Sequence, residues 1–92
     1  MTASAIRDQI ALFGRAGQLR EPAFKAASAI QDERPHIQIL ALATALAAEC
    51  DAIQMNPHDV VQMVERAKQH IDGPFSTQYR ALIEYFQGEF VK

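Results

Sequence analysis

The chain has 92 residues, 49% of them hydrophobic, with nine basic and eleven acidic side chains and a formal charge of −2. This is the length of one domain, 1–92, able to build its own core and too apolar to stay disordered. The charge lacks the basic excess of a sequence-independent nucleic-acid binder, and a single cysteine excludes an intramolecular disulfide, which fits a reducing compartment.

Ser4 is placed to cap a first helix, in which Ile6, Ile10 and Phe13 share one face. Gly14 and Gly17 end it, because glycine readily takes the left-handed conformation of a helix C-terminus. The segment from Arg15 to Glu21 then reads as a linker. Pro22 suits the first position of a short second helix, where its missing N–H costs nothing. Phe24, Ala27 and Ile30 give that helix a narrow apolar face, and it ends near Asp32.

Pro35 opens a third helix running to about Ile53. Ile39, Leu42, Leu46, Cys50 and Ile53 form one stripe, while Ile37, Leu40, Ala41, Thr44, Ala45 and Ala48 fill much of the remaining circumference. A helix apolar nearly all round is expected to be buried nearly all round. The reading is therefore a hub against which the other helices pack.

Asn56-Pro57-His58-Asp59 is the clearest local signal. Asn56 can cap free N–H groups, Pro57 fits the first helical position, and Asp59 suits the positive first turn. Val60, Met63, Val64, Ala67 and Ile71 make the core stripe of this fourth helix, and Asp72-Gly73-Pro74 stops it. Ser76 or Thr77 begins a fifth, whose Tyr79, Leu82, Ile83, Phe86 and Phe90 fall in a narrow arc. The prediction is an all-α fold: a compact bundle of about five helices around a buried central helix.

The N-terminus has no basic start followed by an apolar run, so no secretory signal is expected. No apolar stretch reaches the roughly 18 residues of a membrane span. A cytoplasmic protein without a membrane partner is the expectation.

The residues that could carry chemistry are few. His36, His58, His70 and Cys50 could ligate a metal, but none forms the short pairs that zinc sites use, so no metal is expected. Cys50 lies on the apolar stripe between Glu49 and Asp51, a setting that disfavours a thiolate and suits a packing residue. The chain contains no G-x-S-x-G, no H-E-x-x-H and no glycine-rich phosphate loop. Catalytic and cofactor-binding residues are accordingly not assigned, no cofactor is expected, and the chain reads as non-enzymatic.

Two binding classes remain. The end of the third helix, a short break and the helix from Pro57 could form a helix-turn-helix. A recognition helix reads bases with its N-terminal residues. Here those residues include Asp59 and no Arg or Lys, which makes nucleic acid the weaker alternative. A protein-binding module is the leading reading. Leu12, Val61 and Tyr85 each fall off the apolar stripe of their helix and are expected on the surface. Residues 1–25 carry a net charge of +2 against −4 for the remainder, so Arg15, Arg20 and Lys25 form a second candidate surface, facing an acidic partner. The patch could serve a homodimer or a foreign protein.

The span ALAAECDAIQMNPHDVVQMVERA, an apolar helix followed by Asn-Pro-His-Asp and a Val-rich helix, resembles segments of short helical accessory proteins of bacteriophages and prophages. The resemblance implies a protein that binds a host protein and inhibits or redirects it. It assigns no individual residue.

Overall fold

The computed structural model describes residues 2–12, 19–69 and 74–90. Among the described residues there are five helices: α1 Ala3–Ala11, α2 Arg20–Ala29, α3 Pro35–Ala52, α4 Pro57–Lys68 and α5 Pro74–Phe90. The all-α expectation holds, with no strand among the described residues.

The helix starts follow local chemistry. Thr2, not Ser4, caps α1: its Oγ1 accepts from the Ala5 N–H at 3.1 Å. Both residues carry a hydroxyl, and the one in extended backbone geometry takes the role. α2 begins at Arg20, so Pro22 lies within its first turn rather than at its first position. Pro35 and Pro57 do open α3 and α4, and Asn56 accepts from the His58 N–H at 2.9 Å. α5 begins two residues earlier than its hydroxyl signals suggest. The proposed stops at Gly14, Gly17 and Asp72-Gly73 lie outside the described residues.

α3 ends in a Schellman arrangement without glycine. Gln54 takes a left-handed φ of 57°. Its N–H donates to the Asp51 carbonyl at 3.1 Å, and the Met55 N–H donates to the Cys50 carbonyl at 2.8 Å. The chain direction turns by 115° between α3 and α4.

That corner decides where the core lies. α5 packs on α4 and α2, and α3 packs on α4. Phe24 of α2 and Tyr85, Phe86 and Phe90 of α5 form a run of ring contacts with centroids 5.4–5.7 Å apart. The Arg7 guanidinium donates to the Ile53 carbonyl and ties α1 to the end of α3. At the other end of α3, buried Gln38 donates through Nε2 to the Glu33 carbonyl at 2.8 Å and the Gln31 carbonyl at 3.4 Å, pinning the α2–α3 connection.

The expected buried hub is the reading that the structure corrects. Within α3 only Gln38 and Cys50 are buried, and Ile39 and Leu40 are 59% and 61% exposed. Near the 115° corner Cys50 is buried and Leu46 and Ile53 are half-buried, whereas in the N-terminal half Gln38 alone is buried and the apolar Ile37, Ile39, Leu40 and Leu42 stay exposed. The radius of gyration is 14.0 Å, against about 12 Å for a compact domain of this length. The bundle is helical as predicted, and more open than the compact form expected.

Candidate protein-binding surface

α3 carries its apolar surface on a rod free of ionic charge. Between Pro35 and Ala48 there is no Asp, Glu, Lys or Arg. Alanine favours the helix without side-chain entropy loss, and the leucines and isoleucines add apolar bulk. Ile37, Ile39, Leu40 and Leu42 are all exposed, alongside exposed Ala41, Ala43, Thr44 and Ala45. Ile37, Leu40, Ala41 and Thr44 are neighbours at helical spacings of three and four, so they form a continuous patch. Contiguous apolar patches of this kind mark interaction sites, whereas isolated exposed apolar residues do not.

The one hydroxyl in the patch is already satisfied. Thr44 Oγ1 donates to the Leu40 carbonyl of its own helix at 2.7 Å. Covering it would leave no donor stranded, which removes the usual penalty for burying a polar group.

The residues singled out from sequence fare differently. Leu12 is 81% exposed at the end of α1, and Val61 is exposed on α4. They stand on different helices from the α3 patch. Tyr85 is corrected: it is half-buried, edge-on to Phe24 at 5.7 Å and to Phe86 at 5.6 Å, with its hydroxyl 3.3 Å from Gln31 Oε1. It left the Leu82/Phe86 stripe because α2 covers a second flank of α5. Arg20 and Lys25 are exposed, and Lys25 pairs with Glu21 on its own helix at 3.5 Å. Arg15 lies outside the described residues. The basic surface is therefore partly neutralised within α2.

The candidate chemistry is also located. Cys50 is buried, and His36 and His58 are exposed at their helix starts; His70 lies outside the described residues. Among the described residues no group of three or more His, Cys, Asp or Glu side chains is placed to hold a metal ion. An apolar cleft of about 200 Å³ lies between α2, α4 and α5, lined by Phe24, Val64, Phe75, Tyr79 and Leu82. At its edge Lys68 sits 4.7 Å from the centre of the Tyr79 ring and 3.0 Å from Glu65. The hydrogen bond to Glu65 holds the Lys68 ammonium above the ordinary lysine range, outweighing the opposing effect of burial, and the nearby Tyr79 adds to it.

The sequence reading missed Ile37, Ile39, Leu40 and Leu42 as surface residues. The available signal was the absence of charge on every side of the segment, which marks a helix that needs covering without saying what covers it. No single helix among the described residues is long and apolar enough to cross a membrane. Compared with known proteins, the chain matches no family model, no curated protein and no solved structure.

Proposed function

We propose that this chain is a non-enzymatic protein-binding module whose recognition surface is the exposed apolar face of the N-terminal half of α3. The observation that carries the reading is the exposed, charge-free patch centred on Ile37, Leu40, Ala41 and Thr44. A folded monomer gains nothing by holding Leu40 61% exposed; a protein that buries it against another surface recovers about 25 cal/mol per Å² of apolar area. The resemblance to phage accessory proteins points the same way, toward a modulator of a host protein.

The test is site-specific photo-crosslinking. A photoreactive side chain at position 40 should give a discrete protein adduct, self or foreign, identified by mass spectrometry. The same group at exposed Gln87 on α5 should not. Failure to form any protein adduct at position 40 would overturn the reading.

One observation favours a second reading. The 115° turn between α3 and α4 falls in the range of helix-turn-helix pairs. Against it, α4 opens with Pro57, His58 and Asp59 and has no basic residue before Arg66, so its leading end offers phosphates no cation. Fluorescence anisotropy with duplex DNA separates the two: binding that falls steeply with salt supports the nucleic-acid reading.

A further inference from the structure

We infer that the occupant of the α3 face is a second copy of this chain, with the two α3 helices antiparallel about a two-fold axis that crosses between Leu42 and Ala43. The inference rests on the protein-binding reading and goes beyond it by naming the partner, the register and the contacts.

The first argument is area. The chain exposes 7028 Å², whereas a folded monomer of 10.2 kDa is expected to expose roughly 5,300 Å². The surplus, summed over the whole surface of the chain, is roughly 1,700 Å², about twice what each partner contributes to a standard stable interface. A homodimer that buries even half of it has a full-sized interface.

The second argument is pattern. Arg34, Ile37, Ala41, Thr44, Ala48 and Asp51 recur at spacings of three and four, the spacing of a helix–helix seam. All six are exposed. They fall within an arc of about 100°, opposite the side that carries buried Cys50 and half-buried Leu46 and Ile53. The stripe is self-complementary when reversed about its midpoint. Ile37 then meets the partner's Ala48, Ala41 meets the partner's Thr44, and Leu40 at the margin meets the partner's Ala45. Large faces small at the outer positions, and small faces small at the centre, where the helices come closest.

The third argument is charge. The stripe begins with a cation and ends with an anion, and neither Arg34 nor Asp51 takes part in an ion pair among the described residues. The antiparallel register sets each Arg34 against the partner's Asp51, giving two ion pairs that close the apolar seam at both ends. A parallel pair would stack Arg34 on the partner's Arg34 and Asp51 on the partner's Asp51, which is repulsive. The same charges thus select both the orientation and the register.

The experiment is sedimentation equilibrium of the purified full chain, across micromolar concentrations at low salt, with R34E, D51R and the doubly reversed R34E/D51R protein. Wild type should sediment at twice the 10.2 kDa monomer mass. Each single reversal creates two like-charge contacts and should weaken dimerisation by about tenfold. The double reversal restores opposite charges and should return the affinity to near the wild-type value. Helix content by circular dichroism checks the folding of each variant. Should a reversal unfold the chain, the neutral pair R34Q and D51N gives the same comparison with a smaller loss.

A chain that stays monomeric, or a dimer indifferent to both reversals, or a double variant weaker than both singles, overturns the inference. Crosslinking at position 40 to a foreign protein with a monomeric chain would remove the homodimer and leave the binding-module reading standing. A dimer without any position-40 adduct would remove both.

Discussion

The Tyr85 ring meets the Phe24 ring edge-on, with centroids 5.7 Å apart and planes at 70°. This contact joins α2 to α5 and leads on, through Phe86, to Phe90. Removing the ring should therefore loosen α2 as a unit. Tyr85→Ala is expected to cost about 2 kcal/mol, below the range for a fully buried aromatic because the residue is half-exposed. Tyr85→Phe removes only a long, exposed hydrogen bond and should cost about 0.5 kcal/mol or less. Urea unfolding of the two variants checks both values.

Gln38 is 4% exposed and donates to two backbone carbonyls at the α2–α3 connection. Gln38→Met keeps the length and removes the donor. The stranded carbonyls should cost about 1–3 kcal/mol. Hydrogen exchange should accelerate first at 30–38, around this connection, and much less in α4 and α5. Uniform acceleration across the chain would show that Gln38 supports the whole bundle instead.

Lys68 predicts an alkaline limit. Its ammonium is held above the ordinary range, chiefly by the hydrogen bond to Glu65. A group whose pKa is raised on folding stabilises fully below its unfolded value, about 10.4 for lysine, and loses that contribution as pH rises through the folded value. Wild type should therefore exceed Lys68→Met in melting temperature at pH 8, with the difference shrinking as the pH passes above the ordinary lysine value. A difference that does not depend on pH would assign the effect to packing of the lysine stem on Tyr79.

Leu40 separates the exposed α3 from a buried one. Leu40→Gln should change the stability of a dilute monomer by about 0.5 kcal/mol or less, as surface substitutions do. At a core position, truncating a leucine would cost about 2–5 kcal/mol. With a second copy covering the face, the penalty should grow with protein concentration, since the dimer is stabilised by mass action. Thermal melts over a hundredfold range of concentration read this directly.

The parts of the fold that depend on neighbours in sequence were legible. Asn56-Pro57 predicts the start of α4 because the cap and the fixed proline φ act within one turn. The stripes of α4 and α5 are legible in part from helical spacing: Val60, Met63, Val64, Ala67, Tyr79, Leu82, Phe86 and Phe90 are half-buried, whereas Ile83, expected in the same arc, is 42% exposed and Ile71 lies outside the described residues. The burial of α3 was not, because hydrophobicity on all sides states a demand for cover and carries no information on its source. Inside this chain α4 packs on α3, and the exposure of Ile37, Ile39, Leu40 and Leu42 leaves much of its circumference uncovered. Tyr85 departs from expectation for a related reason: its position off the main stripe of α5 predicts a solvent-facing side chain, but α2 packs on that flank. The Arg34-to-Asp51 stripe is visible in the sequence, but its meaning as a seam depends on knowing that this side of α3 is uncovered.

Gln54 holds the corner from which α3 projects, in a left-handed conformation that costs a non-glycine residue about 1–2 kcal/mol. From that corner to Pro35 the helix is a lever of roughly 27 Å. Left free, a change of about 10° at the corner would carry the far end through roughly 5 Å, but Gln38 ties that end to the α2–α3 connection. The aim of the α3 face is thus set from both ends, by the torsions of Gln54 and by the hydrogen bonds of Gln38. Substitution at either position would redirect the face without altering Ile37, Leu40, Ala41 or Thr44.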